Sequence, residues 1–254
     1  MDLLPSPRTG ARLLRLGFLV ATAALAAAGV RFSYHRPVVA AGLLGAACAF
    51  VLSRWLSRRK LERVLRSGDA LSVIERWSAS FDRIPNPETM APLMTATAFA
   101  ANGWVAQARA AMANAERGPA WEAAIEHRLF LDALLLTFEG DRDAALEQAE
   151  KLERLPIRGE GTRLGKRVRQ LRGAVGALAR AFAHRTKQGD RQRLEDASRS
   201  SPLVFWAMRY AAAVIAIDEG RKDEAMSLLA TAPAWPAEST FRAFHDEIVA
   251  QLAA

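Results

Sequence analysis

The sequence predicts an all-α protein that consists of a transmembrane helical hairpin followed by a helical-repeat domain. Three observations support this fold class. Two apolar runs without charged side chains lie within the first 56 residues. The rest of the chain is rich in Ala and Leu with a helical period, and it contains no run of alternating β-branched residues. Glycines recur in this part at intervals of 35 and 37 residues, which indicates an internal repeat.

The two apolar runs are predicted to cross a membrane as a hairpin. Leu16–Val30 and Pro37–Ser53 contain no charged side chain, and Arg residues flank both of them. A spanning helix needs about 20 mostly apolar residues, a length that these runs reach if the flanking Arg side chains extend to the interface. We therefore assign residues 1–12 to an N-terminal tail and 13–56 to the hairpin. Cleavage of the first run as a signal peptide is the alternative, because basic residues precede it and small residues end it.

The distribution of basic residues predicts the orientation of the hairpin. The loop between the runs carries two Arg, Arg31 and Arg36, whereas nine Lys or Arg flank the hairpin on its other side. These nine are Arg8, Arg12, Arg15, Arg54, Arg58, Arg59, Lys60, Arg63 and Arg66. The positive-inside rule places both termini in the cytoplasm. The single cysteine, Cys48, lies in the second run, so an intramolecular disulfide and a Cys-based metal site are excluded.

Residues 57–254 are predicted to form a cytoplasmic domain of repeated helix-turn-helix units. The repeat is marked by Gly68, Gly103, Gly140 and Gly220. Alanines keep a fixed register to these glycines: Ala96, Ala133 and Ala213 stand seven residues before, and Ala108, Ala145 and Ala225 stand five residues after. Such a Gly ends a helix in a left-handed cap, and the small residues let two antiparallel helices approach closely. A Pro sixteen or seventeen residues after each Gly ends the second helix.

This pattern resembles the tetratricopeptide-repeat (TPR) family over Leu61–Pro236. Three segments carry the resemblance: AFAANGWVAQARAAM, LLLTFEGDRDAALEQA and AIDEGRKDEAMSLLA. The resemblance implies a TPR-like α-solenoid whose groove, formed by first helices that include Leu93–Asn102 and Leu129–Glu139, binds a partner protein or peptide. It also implies an adaptor at the bacterial inner membrane, with no chemistry of its own. An irregular helical bundle is the alternative fold.

The sequence contains no motif typical of an enzyme. The stretch 156–173, PIRGEGTRLGKRVRQLRG, is similar to a phosphate-binding loop, but Glu160 occupies the first Gly position and Arg167 replaces the hydroxyl residue. We interpret this stretch as a flexible insertion between repeats. Glu122 and Glu126 lie beside His127, where a solvated acidic face is a better interpretation than a metal site. We therefore expect no catalytic residue, no cofactor and no metal.

A strongly basic segment leaves a second function open. Residues 154–193 carry twelve basic and two acidic side chains, and apolar residues spaced by three and four between Leu164 and Phe182 predict an amphipathic helix. Its basic face is either solvated or in contact with anionic lipid, nucleic acid or an acidic partner. The candidate contact residues are Arg163, Lys166, Arg167, Arg169 and Arg172. Nucleic acid is the least favoured partner, since no aromatic residues are interleaved for base stacking.

Overall fold

A computed structural model of the chain describes residues 37–157 and 159–253. Every regular element in these ranges is a helix, which confirms the all-α prediction. The first predicted apolar run, Leu16–Val30, lies outside the described residues. The chain divides into two compact units between Lys60 and Leu61.

Helix α1 (Pro37–Leu65) contains the second apolar run. Its side chains Phe50 and Trp55 are 68% and 45% exposed, and the guanidinium of Arg59 lies 3.8 Å from the centre of a Trp55 ring. Among the described residues, no single helix combines the length and the apolar character that crossing a membrane requires. Two consecutive segments, Asp190–Ser200 and Pro202–Asp218, meet these requirements only together, with a bend of 119° between them.

The second unit is built from short helices that follow one another as pairs. Its elements are α2 (Ala70–Phe81), α3 (Pro87–Ala101), α4 (Val105–Ala113), α5 (Pro119–Ala123), α6 (Ile125–Glu139), α7 (Arg142–Arg154), α8 (Arg163–Phe182), α9 (Asp190–Ser200), a 3-10 turn (Pro202–Val204), α10 (Phe205–Asp218), α11 (Lys222–Leu229) and α12 (Thr240–Ala253). The pairs α3–α4, α6–α7, α8–α9 and α10–α11 pack closely. Their first helices, α3, α6, α8 and α10, also contact their neighbours in this order, so they form one continuous layer.

Three of the pairs share one turn geometry. Gly103, Gly140 and Gly220 have positive φ angles of 76°, 84° and 74°, which glycine adopts without strain. At Gly140 the next N–H, that of Asp141, donates to the carbonyl of Leu136 (3.0 Å), as in a Schellman motif. The alanines that flank the turns in sequence, Ala96, Ala108, Ala133, Ala145, Ala213 and Ala225, are at most 1% exposed. Close helix packing accounts for the small side chains at these positions.

The pair α8–α9 makes the same turn without the glycine. His184 takes the left-handed conformation (φ 54°), and the N–H of Arg185 donates to the carbonyl of Arg180 (2.9 Å). This pair fills the long interval between the third and fourth signature glycines. The segment 156–173 is therefore not an insertion over its full length, because α8 already begins at Arg163. The connecting loop is restricted to the few residues before that helix.

Candidate binding groove

The layer of first helices has one region that the chain's own C-terminal segment covers. At its start, the Ser239 hydroxyl donates to the carbonyl of Asn102 (2.6 Å), and the N–H of Thr240 donates to the carbonyl of Gly103 (2.8 Å). A Cβ on Gly103 would lie 2.8 Å from the Ser239 oxygen, so this close approach requires glycine. These contacts join the turn of the pair α3–α4 to the beginning of α12, 137 residues later in the chain.

Aromatic side chains fix the C-terminal segment against the layer. Phe241 of α12 is fully buried, and its ring centre lies 5.2 Å from that of Phe138 in α6 and 5.0 Å from that of Tyr210 in α10. Phe244, one turn later, lies 5.1 Å from Phe182 at the end of α8. Helix α12 thus packs its apolar side against α6, α8 and α10, as a helix occupies an apolar groove.

A short hydrogen-bond chain accompanies this packing. The indole Nε1–H of Trp235 donates to the hydroxyl oxygen of Tyr210 (2.7 Å), which lies 3.2 Å from Nδ1 of His245. Burial raises the pKa of Tyr210, and its hydroxyl shares one hydrogen bond with the imidazole of His245. Each polar group inside the aromatic cluster therefore has a partner, as buried polar groups require.

Another region of the second unit is open and contains an apolar cavity. The cavity has a volume of about 750 Å³, and residues of α3, α5, α6, α7, α8 and the 3-10 turn line it. Its apolar walls include Met90, Phe130, Leu152, Val168, Leu171 and Val204. Apolar walls of this size with few polar groups are typical of sites that bind an apolar side chain or small ligand.

A neutral histidine is one of the polar groups in the cavity wall. Nε2 of His127 lies 2.6 Å from the hydroxyl oxygen of Thr97, and this hydroxyl donates its own proton to the carbonyl of Leu93 (2.8 Å). Nε2 must then be the protonated nitrogen that donates to Thr97. Burial lowers the pKa of His127, although the charge of Glu126 acts in the opposite direction, so the ring is neutral at pH 7.

An ion pair at the cavity wall removes one predicted contact residue from the surface. Arg172 is 5% exposed; its guanidinium lies 3.0 Å from the carboxylate of Glu126 and also donates to the carbonyl of Leu155. The other four predicted contacts, Arg163, Lys166, Arg167 and Arg169, are exposed on α8. Arg169 pairs with Glu160. The sequence analysis grouped Arg172 with these four, but it shares a helix face with Val168 and Val175 and points into the interior.

The two segments predicted to form the groove line the cavity only in part. Other residues of both segments are buried in the interior. In Leu93–Asn102, only Thr97 lines the cavity, and Leu93 is fully buried. In Leu129–Glu139, Phe130 lines the cavity, whereas Phe138 lies under α12. The open site therefore lies nearer the amino-terminal ends of these helices. His127 and Met90 complete it, and their proximity depends on helix packing that the sequence pattern does not specify.

The described residues contain no group of three or more His, Cys, Asp or Glu side chains arranged to hold a metal ion. The polar groups around the cavity are engaged with one another, as the pairs of His127 with Thr97 and of Arg172 with Glu126 show. A comparison of the chain with protein-family models, with curated proteins and with solved structures gives no match.

Proposed function

We propose that this protein is a membrane-anchored, TPR-like adaptor that binds an apolar segment of a partner protein at the cytoplasmic face of the inner membrane. One observation carries the proposal. The first helices α3, α6 and α8 contribute to an open apolar cavity of about 750 Å³, while α12 covers another region of the layer. The cavity is thus able to accept a side chain from another molecule.

The pairing of the helices supports the solenoid part of the proposal. Four consecutive pairs have first helices in contact, left-handed turns and buried alanines at the closest approach. In a solenoid each pair packs on its neighbours, and the layer of first helices supplies the binding surface. The covering of one region by α12 restricts the partner to the end of the layer that α3, α6 and α8 form.

The anchor is supported by α1 and by the charges that flank it. Phe50, Val51 and Leu52, which point to different sides of this helix, are 55% to 68% exposed, and several large apolar side chains exposed together mark a contact with membrane or protein. Basic residues follow the apolar run, as the positive-inside rule requires for a cytoplasmic domain. The proposed first span and the loop with Arg31 and Arg36 precede the described residues.

Filling the cavity tests the adaptor function. Ala123 is exposed and lines the cavity, so Ala123→Trp would place an indole in its mouth. We expect about tenfold less partner in crosslinked co-purification from membranes, which corresponds to about 1.4 kcal/mol of binding free energy. Ala110→Trp is the matched control, because Ala110 is an exposed alanine of α4 outside the cavity wall. Equal partner yields from the two variants would contradict the proposal.

A second candidate function is contact with anionic lipid through α8. Arg163, Lys166 and Arg167 are exposed, and none of them has a carboxylate within 4.0 Å among the described residues. Leu164, on the same turn, is 71% exposed. Each basic side chain near an anionic surface contributes about 1 kcal/mol. In this second function the amino-terminal end of α8 contacts lipid and not a partner protein.

A further inference from the structure

A second cavity, whose lining shares no residue with the apolar one, has two arginines that both lie near one aromatic ring. The guanidinium carbons of Arg66 and Arg209 lie 4.5 Å and 5.4 Å from the ring centre of Phe205. The two cations are therefore within about one Debye length of each other, about 10 Å at 0.1 M salt. Both side chains line a cavity of about 360 Å³, together with the hydroxyl residues Ser198 and Ser227.

The carboxylates of this cavity are already engaged. Glu195 lies 3.1 Å from Arg191 and 3.5 Å from Arg199, and Glu224 pairs with Arg191 and Arg221. Neither carboxylate is within ion-pair distance of Arg66 or Arg209 in the described part of the chain. The two guanidinium charges over Phe205 therefore lack a direct counter-ion.

The guanidinium of Arg209 has hydrogen-bond acceptors among the described residues, whereas that of Arg66 has none. Arg209 donates to the backbone carbonyls of Leu228 (2.7 Å) and Ser227 (3.3 Å). Arg66 donates to no atom of the described residues through its side chain, although its Nε is enclosed and inaccessible to solvent. Because Arg66 lines the cavity and its remaining N–H groups have no acceptor in the described residues, they are available to a ligand there.

The charges around this cavity favour an anion as its ligand. Burial and the charge of Arg66 lower the pKa of Arg209, and Glu195 offsets this only in part. Burial is the larger of these causes, and the contribution of Arg66 shows that the two cations repel each other. An anion in the cavity would relieve this repulsion and accept hydrogen bonds from the guanidinium groups.

We propose that Arg66 and Arg209 form a binding site for a phosphate group. Guanidinium groups match the geometry of phosphate oxygens and bind them through paired N–H donors. The hydroxyls of Ser198 and Ser227 stand in the same cavity and are able to donate to the remaining oxygens. The phosphate group comes either from a free phosphate compound or from the headgroup of a lipid. The site does not depend on the partner-binding function proposed above.

Thermal unfolding of the full chain in a neutral detergent tests the site. Inorganic phosphate, titrated against chloride at constant ionic strength, should raise the Tm by about 5 °C at a concentration of about 100 Kd, and above Kd the rise should follow the logarithm of the phosphate concentration. Arg66→Gln should abolish this rise; it is the main variant because it removes no described side-chain hydrogen bond of the fold. Arg76→Gln, at an exposed arginine of α2, is the matched control and should keep the full rise.

The source of the phosphate group is distinguished in nanodiscs of phosphatidylcholine with or without phosphatidic acid. If a headgroup fills the site, phosphatidic acid raises the Tm of the wild type but not of Arg66→Gln, and inorganic phosphate then adds no further rise. If a free compound fills it, only inorganic phosphate has this effect. The proposal is overturned if neither source raises the wild-type Tm, or if Arg66→Gln responds as the wild type does.

Discussion

Asp190→Asn is expected to lower the free energy of unfolding by about 3 kcal/mol, because breaking a buried ion pair from one side costs about 3–5 kcal/mol. Asp190 is inaccessible to solvent and accepts two hydrogen bonds from Arg180, at 2.8 Å and 2.7 Å. The substitution leaves the guanidinium with only Glu153, 3.6 Å away, which places the expected cost at the lower end of the range. Urea unfolding followed by circular dichroism measures the change.

A surface ion pair of the same chemistry is the control for this prediction. Asp143 pairs with Arg185 at 3.0 Å, but both side chains are more than 60% exposed. Asp143→Asn should therefore cost less than about 1 kcal/mol. If the two Asn variants lose the same stability, the buried ion pair between Asp190 and Arg180 does not stabilise the fold to the predicted extent.

Asp190 should also make the stability of the protein depend on pH in the acidic range. Burial opposes ionisation of Asp190, but the hydrogen bonds from Arg180 and from the N–H of Lys187 outweigh it, so its pKa lies below the ordinary value. The contribution of the carboxylate is complete above the unfolded-state pKa of about 3.9 and is lost as the pH falls through the lower pKa of the folded state. The difference in stability between wild type and Asp190→Asn should accordingly shrink in that acidic range.

Phe241→Ala is expected to cost about 3–5 kcal/mol, the range for removal of a buried aromatic ring. Its ring contacts those of Phe138, Tyr210 and Trp235, with centres 5.0–5.2 Å apart, and therefore connects α12 to the layer of first helices. We expect α12 to become sensitive to limited proteolysis at the same time, because it loses its central contact. Unfolding in urea and the rate of cleavage within residues 240–253 are the two measurements.

Val249→Ala on the same helix is the control, since Val249 is 49% exposed and its truncation should change stability by less than about 0.5 kcal/mol. A cost of Phe241→Ala as small as that of the control would show that α12 does not cover the layer in solution. In that case the groove would extend over Phe138 and Phe182, and the site would be larger than the cavity near His127.

The helical class and the left-handed turns at Gly103, Gly140 and Gly220 were predictable because they depend on local signals. Glycine in a left-handed cap and alanine at a close helix contact recur at a fixed spacing, which is visible in the sequence. The pair α8–α9 did not show this signal, since His184 occupies the left-handed position that glycine has elsewhere. Ala177, seven residues before His184 and fully buried, keeps the register and would have identified the missing copy.

The limits of the site were not predictable because they depend on contacts between distant residues. The hydrogen bonds from Ser239 and Thr240 to the turn at Gly103 join residues 137 positions apart, and no local sequence pattern predicts them. Arg172 was grouped with the surface arginines on charge alone. Its position one turn after Val168 was a signal that it faces inward, and the structure adds the partner, Glu126, from another helix.

The central claim is that the open cavity binds a partner protein. Photo-crosslinking from the cavity in intact membranes tests it most directly. A photo-crosslinking amino acid at position 123 faces the cavity, whereas the same residue at position 110 lies outside its wall. After irradiation of intact membranes, we predict one discrete protein adduct from position 123 and none from position 110. A lipid adduct alone at position 123, or the same products from both positions, would contradict a partner-binding adaptor.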